Sequence, residues 1–360
     1  MTDSTPASPV DRADLRRRVD GSLTRFLARQ RAWMTGVDDA LGPVAETLEG
    51  FVLGGGKRLR PAFAYWGYRG AGGPDGDDIV SGLAALELVQ ASALIHDDLM
   101  DRSDTRRGEP SIHRRFAARH RAAGWAGEPD GFGESSAILL GDLCLVWSDE
   151  MLHGSGIDPV VVGRARPIFD EMRAEVTIGQ YLDVLTQVTG DTSVDRASKV
   201  ARYKSAKYTV ERPLLFGAAL ADAPAGLRTA YSGYGLPLGE AFQLRDDVLG
   251  VFGDPGQTGK PAGDDLREGK RTYLVAAAFE TTDPAGREVL SRRLGDPGLD
   301  PAGVDELRGI ITDSGALDRT ERRIAALTDA ALTALTDADL EAEAREVLVD
   351  LAVVATRRKD

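Results

Sequence analysis

The segment from 79 to 95 constrains the fold more than any other stretch of this 360-residue chain. It contains a single charged residue, Glu87, and is apolar almost all round when placed on a helix. A helix without a polar face has to be buried, so the segment predicts a helix in the middle of a bundle. Apolar residues recur at helical spacing from about Leu15 onward, and alternating β-branched runs are scarce. We therefore expect an all-α protein.

Clusters of Gly, Pro and Asp mark the loops between the helical patterns. The patterns lie at 138–152, 168–187, 199–220 and 226–251, with further helices from about 304 to 357, and the loops at 70–78, 124–133, 189–194, 254–263 and 295–303. No stretch has the composition of a linker between domains. We expect a disordered leader at 1–12 and one domain at 13–360.

Charge and cysteine usage narrow the class of protein. A net charge of −13 argues against nucleic-acid binding, which needs a basic surface. The single cysteine, Cys144, lies in an apolar run, which predicts a small buried side chain rather than a nucleophile. One cysteine allows no disulfide within the chain, and this fits a reducing compartment. The N-terminus shows no apolar signal region, and no stretch reaches the ~18 uninterrupted apolar residues of a membrane span. We expect a cytoplasmic protein without a membrane span.

The buried segment runs directly into an acidic cluster formed by Asp97, Asp98 and Asp101. In a helix Asp97 and Asp101 share one face and lie ~6 Å apart along the axis. Such a pair suits Mg²⁺, which keeps several waters and completes its coordination with substrate phosphates. Carboxylates at a helix C-terminus also oppose the helix dipole, which is costly without a cation. The alternative is a solvated acidic helix end.

A second acidic cluster follows about 150 residues later. Asp246 and Asp247 end an apolar helical pattern, and Gln243 precedes Asp246 by three residues on the same face. A Gly-rich loop and the start of the next segment carry the charged residues that come next, Lys260, Asp265 and Lys270. Glycine backbone with lysines indicates a phosphate-binding loop, although weakly when taken alone.

A third element is the basic, Gly-rich stretch at 54–61. Lys57 and Arg60 in this stretch could clamp a second phosphate-bearing ligand, the arginine through bidentate hydrogen bonds. The alternative is an ordinary basic loop that opens a helix.

Together these motifs resemble the trans-type isoprenyl diphosphate synthases, the polyprenyl synthetase family. The matching pieces are GGKRLRP at 55–61, LIHDDLMD at 94–101, RRGEPSIH at 106–113, YKSAKY at 203–208, FQLRDD at 242–247 and GKPAGDDLREGKRT at 259–272. The resemblance covers nearly the whole chain and is strongest to bacterial geranylgeranyl diphosphate synthases. It implies a single large helical bundle with a central cavity, and usually a homodimer.

The resemblance also implies roles for the matching residues. Catalysis would depend on Asp97, Asp98, Asp101, Asp246, Asp247 and Lys204, with Asp97, Asp101 and Asp246 binding three Mg²⁺ ions. The allylic diphosphate would be held by Arg106, Lys204, Ser205, Gln243, Lys260 and Lys270. Isopentenyl diphosphate would be held by Lys57, Arg60, His96 and Arg107. His96 has an alternative role as a helix-end hydrogen bonder, and the basic residues 357–359 resemble a segment that closes the active site.

Two positions depart from the family pattern. Gly250 stands where the second acidic motif usually has a third aspartate, and Ser205 replaces a common threonine but keeps the hydroxyl. If Asp246 supplies the direct metal ligand, the loss at 250 should weaken metal binding only modestly. We expect neither departure to abolish activity.

Product length should depend on the residues below the first acidic cluster. Ser92 and Ala93, one turn below Asp97, are both small, whereas farnesyl-making relatives tend to carry an aromatic residue there. The next candidates for a floor are Val89 and Leu88, about 12 Å below Asp97 at the rise of a helix. We expect a product longer than farnesyl diphosphate, with geranylgeranyl diphosphate the best single choice.

Several alternatives remain open at this point. The small residues could serve only close helix packing, with Trp147 of a neighbouring helix setting the floor. The product could then be a shorter or longer polyprenyl diphosphate. A terpene cyclase would carry Asn and Ser in its second metal motif, which the pair at 246–247 argues against. A non-catalytic partner subunit would show decayed aspartates, and only Gly250 hints at that.

Overall fold

The computed structural model describes residues 9–253, 263–296 and 298–356. The protein is 81% helical and 1% strand, which confirms the all-α prediction. By its internal contacts the chain divides into two compact units. The first comprises the residues up to Pro167 together with Phe216–Asp222, and the second comprises Ile168–Leu215 and the chain from Ala223 onward. The expectation of one domain at 13–360 stays a prediction, and most of the expected leader at 1–12 lies outside the described residues.

The first unit contains the helices of the N-terminal half and one small hairpin. In chain order they are α1 (Leu15–Val37), α2 (Gly42–Leu53), α3 (Leu59–Gly70), α4 (Asp77–Met100), β1 (Thr105–Arg106), β2 (Glu109–Pro110), α5 (Ile112–Ala123), α6 (Pro129–His153) and the start of α7 (Pro159–Thr189). Short 3₁₀ turns occur at Pro9–Asp14 and Asp39–Leu41. The two strands pair antiparallel, with Thr105 opposite Pro110.

Helix α4 is the central element of the first unit. It packs against α1, α3 and α6, and most of its apolar residues between 79 and 95 are buried, as the sequence predicted. Asp77 and Asp78 in its first turn complement the helix dipole. The helix is long and apolar enough to cross a membrane, but 67% of its most apolar window is buried inside the protein. That burial is typical of a core helix.

The second unit contains the rest of α7 and most of the C-terminal half. Its elements are α8 (Val194–Val200), a π-helical segment (Ala201–Glu211), α9 (Arg212–Leu220, which ends in the first unit), α10 (Ala225–Phe252), α11 (Asp264–Arg267), α12 (Tyr273–Thr281), α13 (Pro284–Arg293), α14 (Pro301–Asp313), α15 (Ala316–Thr336) and α16 (Ala342–Thr356). Apolar residues of α10, α12, α14 and α15 form one buried core in this unit.

The π-helical segment replaces the continuous helix that the pattern at 199–220 predicts. Its backbone lies directly against α10, where a Cβ atom at Gly239 would come within 2.6 Å of Ala206 Cα. Beneath the segment, Glu175 of α7 accepts hydrogen bonds from Lys207 and from Arg212, at 2.7 Å and 2.6 Å. Single π turns inside helices are rare and are found mostly at functional sites.

Other boundaries also differ from the sequence expectations. Helix α6 begins at Pro129, inside the loop expected at 124–133, because proline fits the first helical turn, where its missing N–H is not needed. The part of the chain between 264 and 293 contains three helices that the periodicity did not predict. Each of them is short, between four and ten residues, so its apolar pattern is brief.

Candidate functional site

The first acidic motif lies at the end of α4, as predicted. Asp97 and Asp98 belong to its last turn, and the backbone N–H of Asp101 donates to the carbonyl of Asp97 at 2.8 Å. This bond keeps Asp97 and Asp101 one helical turn apart on the same face. Asp98 points the other way and is fully buried. The three aspartates therefore divide into an outward pair and one inward residue.

Arg106 of β1 neutralises the inward residue. Its Nε donates to Asp98 Oδ1 at 2.9 Å, and its Nη2 donates to the same oxygen. The same nitrogen lies 3.5 Å from Asp97 Oδ2. The two-strand hairpin thus fixes a guanidinium beside the acidic pair, where it can meet a diphosphate that the carboxylates help to bind through metal ions.

Arg107, at the turn of the hairpin, faces a different element. Its backbone has a left-handed φ of 55°, and its Nη1 donates to the carbonyl of Gly55 at 2.9 Å. Burial lowers the pKa of Arg107, and the neighbouring charge of Arg58 lowers it further. An anionic ligand would relieve both effects. The hairpin therefore connects the acidic motif to the Gly-rich loop at 54–58.

A buried arginine anchors that loop. Arg58 has a left-handed φ of 51° and donates to Glu87 Oε2 at 2.6 Å, Asp20 Oδ1 at 2.8 Å and the carbonyl of Val52 at 3.0 Å. Burial disfavours its charge, but the carboxylates of Glu87 and Asp20 outweigh burial and raise the pKa of Arg58. Lys57 beside it is exposed, and Arg60 is half-buried in the first turn of α3.

Sequence reasoning missed this anchor, although one signal was available. Glu87 is the only charged residue in the buried segment 79–95, and a buried carboxylate requires a partner. Arg58, the buried basic residue of the Gly-rich loop, is that partner.

His96 contacts α6. Its Nε2 lies 3.1 Å from the carbonyl oxygen of Ile138 and 3.6 Å from Asp142 Oδ1. Gly141 makes room for the ring, because a Cβ there would lie 2.7 Å from His96 Cε1. This geometry matches the helix-end hydrogen bonder, and binding of isopentenyl diphosphate by His96 stays a prediction.

The second acidic motif lies in the last two turns of α10. Gln243 Nε2 donates to Asp247 Oδ1 at 2.7 Å, and Asp246 is half-buried beside them. Burial raises the pKa of Asp247 to about 8; the Gln243 hydrogen bond opposes the shift, and the charges of Asp265 and Asp246 add to it. A cation bound beside Asp247 would stabilise the charged carboxylate and lower this pKa again.

Lys204 belongs to the π-helical segment and pairs with a residue that sequence reasoning missed. Its Nζ donates to Asp183 Oδ2 of α7 at 2.6 Å. The two elements approach closely at Gly179, where a Cβ would lie 2.6 Å from Lys204 Cα. The available signal was a pair of polar residues, Gln180 and Asp183, on a helix face. Ser205, next along the segment, is half-buried.

Lys270 is the last of the predicted site residues in the described part of the second unit. Its Nζ lies 2.6 Å from Glu268 Oε2 and 3.6 Å from Asp265 Oδ1. Lys260 and the basic residues 357–359 lie outside the described residues.

The predicted product-length residues lie on α4 below the first acidic motif. Leu88, Val89 and Ser92 are buried, and Ala93 is half-buried. Trp147 of α6, the alternative floor, is buried and packs edge-to-face on Phe26 of α1, with ring centroids 6.1 Å apart.

Within residues 9–253, 263–296 and 298–356, no three or more His, Cys, Asp or Glu side chains lie close enough together to hold a metal ion by themselves. The outward pair of carboxylates still fits Mg²⁺, since this ion takes oxygen ligands and binds through one or two carboxylates plus substrate phosphates. The donor set contains no thiolate or imidazole cluster that would favour a softer metal.

Comparison with known proteins identifies the family of this chain. The family model described as Polyprenyl synthetase matches residues 43–311. A geranylfarnesyl diphosphate synthase of Aeropyrum pernix is 34% identical over 305 residues, covering 82% of this chain and 88% of that protein. A geranylgeranyl diphosphate synthase of Mycobacterium tuberculosis is 32% identical, covering 79% of this chain and 75% of that protein.

A solved structure extends the agreement to the fold. The geranylgeranyl pyrophosphate synthase of Corynebacterium glutamicum, solved as a complex with isoprenyl diphosphate and magnesium, superposes with a TM-score of 0.93 at 41% identity. The match covers 96% of this chain and 99% of that one. The chain is a member of the polyprenyl synthetase family and a prenyltransferase.

Proposed function

We propose that this protein condenses isopentenyl diphosphate with an allylic diphosphate and makes geranylgeranyl diphosphate. The C–O bond of the allylic diphosphate breaks and its electron pair leaves with the diphosphate. The double bond of isopentenyl diphosphate then forms the new C–C bond, and loss of a proton restores a double bond. The observation that supports this reaction best is the outward pair Asp97 and Asp101, set beside the arginines of the hairpin at 105–110.

The residues of the first unit would bind the two substrates through their charges. Asp97 and Asp101 would hold two Mg²⁺ ions, and a third ion on Asp246 stays what the family resemblance implies. Mg²⁺ bound there supplies Lewis-acid stabilisation of the negative charge that grows on the departing diphosphate. Arg106, already fixed against Asp98, adds a positive charge that needs no reorganisation during the reaction.

Isopentenyl diphosphate would bind at the Gly-rich loop. Lys57 is exposed on this loop, and Arg107 lies against its backbone. Arg58 would act as a positioning residue, because its three hydrogen bonds hold the loop in a left-handed conformation that a bulky residue otherwise avoids. The loop would therefore be preorganised for a dianionic ligand.

The chain-length proposal rests on the small residues Ser92 and Ala93. Val89 lies two turns of α4 below Asp97, which is about 12 Å along the helix axis, and a growing prenyl chain would reach it there. The relatives of this chain include synthases of different product lengths, so membership of the family does not determine the product length. Small residues one turn below the motif support a product longer than farnesyl diphosphate.

We further propose a cytoplasmic homodimer that forms through α6. Four apolar residues form an exposed stripe on this helix at the spacing i, i+1, i+7 and i+8, namely Ile138, Leu139, Leu145 and Val146. Contiguous apolar surface of this kind marks an interaction site, and a two-fold dimer would bury the same stripe from both copies. A second copy of the chain is the occupant that we propose.

The reaction is tested by incubating purified protein and Mg²⁺ with isopentenyl diphosphate and dimethylallyl, geranyl or farnesyl diphosphate. Mass spectrometry of the extracted products should show elongated prenyl diphosphates, and chelation of the metal should abolish them. Asp97→Asn and Asp101→Asn should each reduce turnover on the order of 100-fold or more. The absence of prenyl product with every primer would overturn the assignment.

A further inference from the structure

One face of α7 meets the π-helical segment at three positions spaced four residues apart. Glu175, Gly179 and Asp183 lie at i, i+4 and i+8 and therefore follow one face of the helix. The middle position brings the two backbones into direct contact, because a Cβ at Gly179 would lie 2.6 Å from Lys204 Cα. Asp183, on one side of this contact, accepts the hydrogen bond from Lys204. Glu175, on the other side, bonds to two further residues.

Those two residues are Lys207, in the segment, and Arg212, which directly follows it. Lys207 Nζ donates to Glu175 Oε1 at 2.7 Å, and Arg212 donates through Nε to Oε2 at 2.6 Å and through Nη2 to Oε1 at 2.8 Å. In an α-helix, residues five apart are turned about 140° from each other around the axis. The i→i+5 hydrogen bonds of a π-helix bring them much closer to one face. A carboxylate that bonds to both cations therefore favours π-helical over α-helical geometry.

This clamp is buried, which strengthens its charge interactions. The side chains of Glu175, Lys207 and Arg212 are 13%, 14% and 12% exposed. Burial by itself would raise the pKa of Glu175, but the hydrogen bonds from Arg212 and Lys207 outweigh burial and lower it. Two other carboxylates lie farther from the same cations, Glu211 at 3.4 Å from Lys207 and Glu171 at 3.0 Å from Arg212. Glu175 makes the shortest ion pair with each cation.

The opposite side of the segment lies against glycines of α10. A Cβ at Gly239 would lie 2.6 Å from Ala206 Cα, and one at Gly235 would lie 2.7 Å from Glu211 Cα. Both contacts are with backbone atoms, which cannot rotate away as the end of a side chain can. The segment is therefore packed between the backbones of α7 and α10. A change from π-helical to α-helical geometry would turn Lys204 relative to both helices.

We propose that Glu175 is a positioning residue for prenyl transfer, which holds the segment 201–211 in its π-helical geometry and thereby places Lys204. The role of Lys204 in holding the allylic diphosphate rests on the proposed function, whereas the clamp does not. A residue that only stabilises the fold would lower activity whatever stands at position 204. A positioning residue should lose most of its effect once Lys204 is removed.

Hydrogen exchange followed by mass spectrometry tests the clamp without any catalysis. In Glu175→Gln, peptides covering 201–211 should exchange on the order of 10-fold faster than in the wild type, because two buried cations lose their main counter-charge. Glu171→Gln is the matched control. Glu171 lies one turn earlier on α7 and also pairs with Arg212, but its side chain is 55% exposed, so exchange should stay near that of the wild type. If Glu175→Gln does not fold, Lys207→Met replaces it, since this variant removes one arm of the clamp.

Steady-state kinetics with each substrate varied in turn test the positioning role. Glu175→Gln should lower kcat/KM for the allylic diphosphate on the order of 10-fold, as a small misplacement of a binding group does. The KM for isopentenyl diphosphate should change little, because its proposed ligands are on other elements. In a Lys204→Ala background, Glu175→Gln should lower kcat/KM less than about 3-fold further, because residues that act through one another are not additive.

Each outcome decides part of the proposal. Exchange of 201–211 no faster in Glu175→Gln than in Glu171→Gln would overturn the clamp. An unchanged kcat/KM in Glu175→Gln, or an equal loss with and without Lys204, would overturn the positioning role. A wild-type protein that forms no prenyl product would instead refute the proposed function, and the exchange experiment would still judge the clamp.

Discussion

Replacing Glu87 by glutamine should weaken both the stability of the protein and its affinity for isopentenyl diphosphate. Glu87 and Arg58 are almost fully buried, with side chains 6% and 3% exposed, and their charged atoms lie 2.6 Å apart. Asp20, the other carboxylate on Arg58, is 41% exposed and so compensates the buried charge less. The substitution keeps the shape and one acceptor oxygen but removes the negative charge.

The magnitude follows from burial. Removing one partner of a buried ion pair costs about 3–5 kcal/mol, because the other charge stays buried without compensation. A glutamine oxygen can still accept a hydrogen bond from the guanidinium, and such bonds contribute about 1.5–3 kcal/mol. We therefore expect Glu87→Ala to lower the free energy of unfolding by about 3–5 kcal/mol and Glu87→Gln by about 2 kcal/mol.

The functional effect should fall on one substrate. Arg58 fixes the loop that carries Lys57, so loosening it should raise the KM for isopentenyl diphosphate on the order of 10-fold, about 1.4 kcal/mol. The KM for the allylic diphosphate should change little, because its proposed ligands are on other elements. Urea unfolding followed by circular dichroism and steady-state kinetics with each substrate varied in turn would measure both effects.

The matched control is Glu46→Gln. Glu46 also pairs with an arginine, Arg31, at 2.5 Å, but both side chains are about half exposed. Exposed pairs contribute only about 0–1 kcal/mol, so this variant should resemble the wild type. If Glu87→Gln matched Glu46→Gln in stability and in KM for isopentenyl diphosphate, the reasoning about the buried anchor would be refuted.

Three further predictions concern product length, assembly and the thiol. Ala93→Phe should shorten the main product by at least one isoprene unit in a mass-spectrometric product assay, and an unchanged length would reject the pocket assignment. The double variant Leu139→Glu/Val146→Glu should convert a dimer into a monomer in light scattering, whereas a persistent dimer would place the interface elsewhere. Burial raises the pKa of the Cys144 thiol to about 12, so a disulfide reagent should label it only in urea. Rapid labelling of the native protein would contradict its burial.

The sequence predicted those parts of the site that depend on local periodicity. The burial of α4 followed from one charge in 17 residues, and the outward pair Asp97 and Asp101 followed from helical spacing. The burial was confirmed because a long apolar helix has few alternatives to the core, whereas the metal role of the pair stays a prediction. The family resemblance then supplied the basic residues whose roles no spacing rule gives.

What the sequence did not predict depends on contacts between distant residues. The pairing of Arg58 with Glu87 joins positions 29 apart, and the contact of Lys204 with Asp183 depends on how the π-helical segment lies against α7. Neither contact leaves a periodic signal in the chain.

Product length under excess isopentenyl diphosphate tests the central claim most directly. Purified wild-type protein would be given Mg²⁺ and farnesyl diphosphate as the only primer, and the products identified by mass spectrometry over time. We predict one addition, with geranylgeranyl diphosphate accumulating as the end product. Farnesyl diphosphate left unextended, or extended past geranylgeranyl diphosphate, would contradict the account.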